Sequence, residues 1–248
     1  MVGGVGFGFG LRGIGGAQPT LPVVQDDSLE AVQAEIIDCF ACPRLVEWRE
    51  LVATEKRASF RDEPYWGRPV PSLGDPDAHL MVVGLAPAAH GGNRTGRVFT
   101  GDRSGDWLFR AMHRAGYANQ PTSVARGDGL RLTGAYVVAA VRCAPPANKP
   151  TPVERDTCQP YLEREIALLP SLRVFVALGA FGYEAVCRVL GVRPRPKFGH
   201  GAEVELDDGR WIVCSYHPSQ QNTFTGTLTE PMLDAVFTRA RELGERGA

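Results

Sequence analysis

The chain has 248 residues, of which 44% are hydrophobic, and a formal net charge of −1. This length and apolar content suit one sizeable α/β domain better than two small ones. The charge excludes a globally basic nucleic-acid-binding protein, so any such contact must come from a local patch. No apolar run approaches the roughly 18 residues that predict a membrane span. Six cysteines without a secretory leader favour a reducing cytoplasm over a disulfide framework.

The chain begins with a glycine-rich segment, in which residues 1–16 include eight glycines. Ordering such a segment costs too much conformational entropy for it to hold a fixed shape alone. We therefore predict a disordered tail over 1–27 and a single domain over 28–248. The domain opens with a helix, because Ser28 is a favourable N-cap and Leu29, Val32 and Ile36 recur at helical spacing.

The rest of the chain alternates strand and helix patterns, whereas the proline-rich segment 54–76 is typical of a surface connection. Apolar runs predict strands at 79–83, 135–141, 172–178, 202–206 and 211–215, the last two joined as a hairpin by Asp207-Asp208-Gly209. Helical spacing predicts helices at 105–115, 152–169, 181–190 and 229–243. Such alternation indicates a mostly parallel sheet covered by helices on both faces.

Four cysteines are candidate metal ligands, because each pair lies at an element end or beside prolines: Cys39, Cys42, Cys143 and Cys158. Backbone N–H groups near such thiolates stabilise the charge on sulfur. Tetrahedral zinc and an iron–sulfur cluster both suit four cysteines, and the spacing does not decide between them. The alternative is that the cysteines are merely buried, which we favour for Cys187 and Cys214. We expect a metal group here to be structural and remote from bond-making chemistry.

The segment Gly84–Asp102 follows the first predicted strand and is too long and glycine-rich for a simple connector. In an open α/β sheet, ligands bind at the carboxyl ends of the strands. Within this loop, Phe99 can stack on a planar ligand and Asp102 can orient a water or a cation. Alternatively, Phe99 is a core side chain and Asp102 caps the following helix.

Polar residues of the same loop and its neighbours are candidates for nucleic-acid contacts. Asn93 and Arg94 either contact a phosphate or base or are ordinary loop residues. A local basic rim is compatible with the near-neutral total charge. Its candidate members are Arg94, Arg97, Arg103, Arg142 and Lys149.

A second loop, His217-Pro218-Ser219, follows the last predicted strand. His217 is either structural or functional there. Ser219 invites a nucleophile interpretation, but no Gly-x-Ser-x-Gly elbow surrounds it, so a serine hydrolase is only weakly supported. The polar side chains that follow suit a nucleic-acid groove, and we favour Gln221 or Asn222 as the residue that wedges into DNA.

Four motifs in this order resemble one known family. They are Gly84-Leu85-Ala86-Pro87-Ala88, Phe99-Thr100-Gly101-Asp102, Arg142-Cys143-Ala144-Pro145-Pro146 and His217-Pro218-Ser219. Together with the cysteine spacing, they make residues 28–240 resemble the type 5 uracil-DNA glycosylases. Each motif alone is modest, but the ordered set is specific.

The resemblance implies a three-layer α/β/α fold around a central, mostly parallel four-stranded sheet, and a [4Fe–4S] cluster on Cys39, Cys42, Cys143 and Cys158. It implies that the backbone of Leu85 and Ala86 lines a base pocket and that Phe99 stacks on a flipped base, with Asn93 and Ser219 as further substrate-binding candidates. It implies that Asp102 activates water or stabilises a cationic sugar, and that His217 hydrogen-bonds a base carbonyl. The expected activity is hydrolysis of the uracil–deoxyribose bond in base excision repair, leaving an abasic site.

The chain departs from other uracil glycosylases at two places. Those enzymes have a polar residue after the first motif glycine and an asparagine at the end of the second strand, whereas this chain has Leu85 and Val138-Ala139-Ala140. Without an amide to pair with the base edge, a site discriminates poorly. We therefore predict a broader scope that includes hypoxanthine and other damaged bases.

We expect a cytoplasmic monomer that acts on double- or single-stranded DNA and makes no membrane contact. Two other classes of function stay open at this point. One is a non-catalytic, metal-stabilised nucleic-acid binding module, and the other is a hydrolase that uses Ser219 as its nucleophile.

Overall fold

The computed structural model describes residues 27–245. The tail predicted over 1–27 lies outside these residues except for Asp27, whose carboxylate accepts a 2.8 Å ion-pair hydrogen bond from Arg164. The helices are α1 (Leu29–Ile37), α2 (Pro43–Glu55), α3 (Gly92–Thr95), α4 (Arg103–Arg114), α5 (Pro152–Ala167), α6 (Gly179–Val189), α7 (Gln220–Phe224) and α8 (Glu230–Glu245). The strands are β1 (Leu73–Gly74), β2 (Leu80–Gly84), β3 (Ala135–Ala139), β4 (Val174–Leu178), β5 (Glu203–Glu205) and β6 (Trp211–Ser215).

The strands form one sheet in the order β1-β3-β2-β4-β6-β5. The four central strands are parallel, which confirms the predicted sheet, and the short edge strands β1 and β5 pair antiparallel. Strands β2, β3 and β4 are buried along their whole length, as expected of parallel strands covered on both faces. The predicted hairpin is present as β5 and β6.

Alternate side chains of the sheet enter two separate cores. Helices α4 and α8 pack on the face that carries Leu80 and Val82. Helices α5 and α6 pack on the face that carries Met81 and Val83, and α1 lies against α5. Three layers follow directly from this period of two along each strand.

The segment 54–76 differs from the predicted surface connection. It contains β1, and Val70 is buried with its backbone N–H donating to the carbonyl of Arg142. The segment therefore covers the edge of β3, because an uncovered edge strand exposes unpaired backbone groups.

Parallel register brings four loops to one edge of the sheet. Gly84 of β2 is paired with Ala139 of β3, and Leu178 of β4 with Ser215 of β6. The chain reverses its order of strands between β2 and β4, which is where doubly wound sheets open a crevice. None of the helices between residues 27 and 245 combines the length and apolar character needed to cross a bilayer.

Candidate active site

A cavity of about 390 Å³ opens at this edge of the sheet. Its walls come from the loop after β2, the start of α4, the loop after β3 and the loop after β6. The lining residues are Leu85, Ala86, Pro87, Ala88, Val98, Phe99, Asp102, Arg103, Ser104, Asn148, His217, Ser219 and Gln220. The structure thus brings together six of the seven predicted catalytic and substrate-binding residues.

Asn93 is the predicted binding residue that does not line the cavity. It is fully buried in α3, and its Nδ2 donates to the backbone carbonyl of Arg49 at 3.2 Å. This buried position favours the alternative that Asn93 is an ordinary loop residue, which makes no contact with a base. Arg94 is likewise internal to the loop, since it donates to the carbonyls of His90 (2.8 Å) and Gly101 (3.1 Å) and pairs with Glu63.

Arg97 lies within the loop and fixes it to residues outside the loop, Ser123 and Asp128. Its guanidinium donates to both carboxylate oxygens of Asp128, at 2.8 and 2.6 Å, and to the hydroxyls of Thr100 and Ser123. Burial acts to raise the pKa of Asp128, but the hydrogen bonds from Arg97 and from three backbone amides outweigh it and hold that pKa well below its ordinary value. A bidentate pair of this kind fixes the geometry of the chain on either side.

Phe99 is buried in the cavity wall with a positive φ of 49°, a conformation that is unusual for a bulky residue. Two glycines make this possible. A Cβ atom at Gly84 would lie 2.4 Å from the ring Cζ, and one at Gly105 would lie 1.9 Å from the Phe99 carbonyl oxygen. The ring faces His217 with a centroid separation of 5.9 Å and an interplanar angle of 30°.

Asp102 is the N-cap of α4, which confirms the capping interpretation. Its Oδ1 accepts from the backbone N–H of Gly105 at 3.0 Å. The other oxygen, Oδ2, lies against Gly91, where a Cβ atom would stand only 2.0 Å away. Burial raises the pKa of Asp102, although the amides of Gly105 and Ser104 act in the opposite direction. The capping hydrogen bond engages Oδ1 and fixes the direction in which the Asp102 carboxylate points.

His217 is held through its backbone. The amide of Asn222 donates to the His217 carbonyl at 2.9 Å, and Gly179, at φ 79°, lies directly against the histidine Cβ. Burial lowers the pKa of His217 to about 4, so its ring is neutral at neutral pH. A neutral imidazole carries one N–H donor, which suits a hydrogen bond to a carbonyl oxygen.

Ser219 lines the cavity as the N-cap of α7, and its hydroxyl accepts from the backbone N–H of Asn222 at 3.3 Å. Within residues 27–245, no histidine is hydrogen-bonded to this hydroxyl to activate it as a nucleophile. The geometry therefore gives the hydrolase hypothesis no support.

Asn148 is a cavity residue that sequence reasoning missed. It ends a short 3₁₀ turn, Pro146–Asn148, in which Ala147 and Asn148 both have positive φ, and it is exposed. Asparagine tolerates this conformation better than most residues. An asparagine beside prolines, downstream of a buried strand, is the signal that could have pointed to it.

The predicted basic rim is reduced to two residues. Arg103 lines the cavity, donates to the Thr223 hydroxyl at 3.0 Å and lies 4.2 Å from the centroid of the Phe224 ring. Lys149 is exposed next to Asn148. Arg142, by contrast, is buried and pairs with Glu165 and Ser72.

All four candidate ligand cysteines line a second, smaller cavity, whereas Cys187 and Cys214 are buried elsewhere, as expected for them. All six cysteines lie in the described part of the chain, and none forms a disulfide. The cavity is about 10 Å³, and among residues 27–245 no three His, Cys, Asp or Glu side chains are grouped as they would be around one metal ion. In a four-iron cluster each thiolate binds a different iron, so its ligands lie farther apart than those of a single ion.

The two cavities are neighbours, which differs from the expected remoteness. Ala86 lines the larger cavity and also packs against Leu45, Val141, Cys143 and Cys158. The physical reason is that β2 and β3 are adjacent parallel strands, so the loops that follow them lie side by side.

The fold and the cavity agree with a match of residues 71–241 to the sequence model of the uracil DNA glycosylase superfamily. The chain belongs to this superfamily. A Type-5 uracil-DNA glycosylase of Mycobacterium bovis is 54% identical over 219 residues, or 87% of this chain and 82% of that protein. Another, of Thermus thermophilus, is 52% identical over 215 residues, or 86% of this chain and 97% of that protein.

More distant similarity falls within the same superfamily. A Type-4 uracil-DNA glycosylase of Pyrobaculum aerophilum is 31% identical over 182 residues, which is 68% of this chain and 78% of that protein. The higher identities place this chain in the type-5 family, in agreement with the motifs of its sequence.

The contact between Gly84 and Phe99 provides a test of the pocket wall. Gly84→Ala should push the ring out of position, because the new Cβ would overlap it. We expect uracil release to slow by about 10- to 100-fold, since small misplacements of binding groups have effects of this size. Gly199→Ala is the matched control, because a Cβ there meets open space. Equal rates for the two variants would contradict this role of the contact.

Proposed function

We propose that the larger cavity receives a uracil extruded from DNA and that the chain hydrolyses the bond between this base and its deoxyribose. The observation that carries the proposal is one cavity whose lining holds an aromatic face, a carboxylate and a neutral imidazole. A base inside a duplex is out of reach of such a cavity, so extrusion has to precede chemistry, at a cost of a few kcal/mol. Membership of the type-5 family favours this enzyme over a non-catalytic binding module.

In the proposed reaction, Asp102 acts on the sugar side of the bond. As the bond between C1′ and the base breaks, positive charge develops on the sugar, and the Asp102 carboxylate stabilises it. The same carboxylate orients a water that adds to C1′ and accepts the proton which this water loses. Its raised pKa brings it closer to the working range of a general base.

His217 acts on the leaving base. The electron pair of the broken bond passes to the base, and negative charge develops on the carbonyl oxygen. An N–H donor aimed at that charge stabilises the transition state more than the ground state. Because its pKa is about 4, His217 donates as a neutral imidazole and keeps its proton. The uracil anion then takes up a proton from solvent, and Asp102 returns to solvent the proton that it accepted from water. The products are free uracil and an abasic site.

The residues around the cavity opening form the proposed surface for recognising DNA. Phe99 offers an aromatic face for the base, and Asn148 offers an amide that can hydrogen-bond either the base or the water. Arg103 is in position to contact phosphate, and exposed Phe224 beside it gives an aromatic surface next to the opening.

The wedge is best assigned to Gln221, because the Asn222 amide is occupied by the His217 carbonyl. We propose that the enzyme acts as a monomer. An exposed rim of this kind is compatible with double- and single-stranded DNA.

Asp102→Asn separates catalysis from capping. Asparagine is as good an N-cap as aspartate, so we expect the thermal unfolding midpoint to stay near that of the parent protein. Loss of the carboxylate should lower the rate of uracil release by roughly 10²- to 10⁴-fold. Alkaline cleavage of a uracil-containing oligonucleotide after incubation measures the rate. If Asp102→Asn releases uracil at the parent rate, Asp102 is only a helix cap.

The range of bases that the enzyme releases depends on two positions that are apolar in this chain. Leu85 replaces a polar side chain, its carbonyl is already engaged by the N–H of Val141, and Val138 is buried in the sheet. Within the described lining, no amide side chain stands directly after Gly84 or at the end of β3, the two places where it would pair with the uracil edge. We therefore propose that the pocket also accepts hypoxanthine and other deaminated or oxidised bases.

A panel of duplexes that differ only in the damaged base tests this scope. We expect measurable release of hypoxanthine as well as uracil, because the pocket lacks an amide at the two positions where it would reject an incorrect base. Asp102→Asn should slow both reactions, which controls for contaminating glycosylases. Activity confined to uracil would contradict the broader scope while leaving the principal activity intact.

We further propose that Cys39, Cys42, Cys143 and Cys158 hold a [4Fe–4S] cluster. The donor set is all sulfur, and the four residues line one cavity. Cys39 and Cys42 lie on the exposed turn between α1 and α2, so this is the side on which the small cavity can widen. The group would supply cross-links that join this turn to α5 and the loop after β3.

Metal analysis distinguishes the two groups that four cysteines suit. Protein purified without oxygen should contain iron and acid-labile sulfide in equal amounts and absorb visible light. The Cys143→Ser variant should lose most of both, because a hydroxyl is a poor ligand for iron in such clusters. Colourless protein with stoichiometric zinc would contradict the iron–sulfur proposal.

A further inference from the structure

The guanidinium of Arg49 is fully buried in the wall of the cysteine cavity. Its Nη1 donates to the Cys39 carbonyl and to the Cys143 sulfur, both at 3.1 Å. Its Nε and Nη2 are buried and have no hydrogen-bond partner. Three of its five N–H donors therefore lack an acceptor within the described chain.

No group in the described residues neutralises this charge at contact distance. The nearest carboxylate is that of Glu50, which is largely exposed and lies 3.9 Å from Nη2, beyond hydrogen-bonding range. The ring of Phe40 faces the guanidinium with 4.8 Å between Cζ and the ring centroid, which gives a weaker attraction. Burying a charge without a close partner is strongly unfavourable, so such a group points to an anion that completes the site.

We infer that Arg49 is the internal counter-charge of an anionic metal–thiolate group held by Cys39, Cys42, Cys143 and Cys158. The inference rests on the proposed metal site. Four thiolates outweigh the positive charge of either a zinc ion or a four-iron cluster, so either group would be anionic. Arg49 is then a positioning residue that acts on the metal group through the cysteine sulfurs.

The same residue links the metal site to the loop that forms the base cavity. The Arg49 carbonyl accepts from Nδ2 of Asn93, which is buried in α3 within the segment Gly84–Asp102. Loss of the metal group would leave the guanidinium unbalanced at the point where this loop is anchored. The buried position of Asn93 follows from this anchoring role.

Two effects on the metal group follow from the charge. Hydrogen bonds to sulfur and nearby positive charge both favour the reduced, more negative form of an iron–sulfur cluster. Arg49→Met should therefore lower the reduction potential. It should also speed removal of the metal by a chelator by about 10- to 100-fold, the range found when outer-shell partners of metal ligands are lost.

The experiment uses the full chain, purified without oxygen, and follows metal loss to a chelator and the potential by voltammetry. Arg61→Met is the matched control, because it removes one exposed guanidinium and should change neither quantity. Arg49→Lys keeps the charge but loses the planar fork, so it should fall between the parent and Arg49→Met. If Arg49→Met does not fold, Arg49→Lys is sufficient for the test, and faster metal loss from this variant than from the control supports the inference.

The possible outcomes distinguish a failure of the Arg49 inference from a failure of the proposed metal site or of the proposed glycosylase activity. Parent-like metal retention and potential in both Arg49 variants would overturn the role of Arg49 while leaving the metal site in place. If the parent holds zinc, the chelation arm still applies, and slower loss from the parent than from the variants supports the inference. A parent protein that releases uracil but binds neither metal would overturn the metal site and the role of Arg49 together, without affecting the glycosylase.

Discussion

The contact between the Phe99 ring and Gly84 is the constraint on which the cavity depends. Gly84 is the last residue of β2, so the ring rests on the end of the sheet itself. The Phe99 backbone takes a positive φ. The Phe99 carbonyl oxygen lies so close to Gly105 that no side chain fits at position 105. The wall of the larger cavity is therefore part of the packed fold, and the position of the Phe99 ring is set by the end of the sheet.

Buried arginines hold the surrounding loops in place. Arg97 braces the loop after β2, Arg94 closes the loop on itself, and Arg142 fastens the loop after β3 to Glu165. A planar guanidinium makes several directed hydrogen bonds at once, so one residue can fix several backbone segments. Arg97 and Arg142 are therefore unavailable to a ligand, whereas Arg103 lines the cavity and Lys149 is exposed next to Asn148.

Two cavities share one wall because of strand order. The loops after β2 and β3 leave adjacent parallel strands, and Ala86 lines the larger cavity and packs against the apolar cluster that contains Cys143 and Cys158. Asp102 both caps α4 through Oδ1 and lines the larger cavity. The helix cap thus fixes the direction of a carboxylate in this cavity without any additional group.

The sequence by itself determined the strands, most of the helices and most of the residues that line the larger cavity at the predicted site. Apolar runs and capping residues are local signals, so β2, β3, β4 and the capped start of α5 were predictable from neighbouring residues. Only the tertiary structure decided which polar residues meet. It buried Asn93 against Arg49, turned Arg97 and Arg142 inward, and brought Asn148 to the cavity. These contacts join residues that are between 23 and 44 positions apart in the chain. The energy of a buried polar group is set by such partners rather than by its neighbours in sequence.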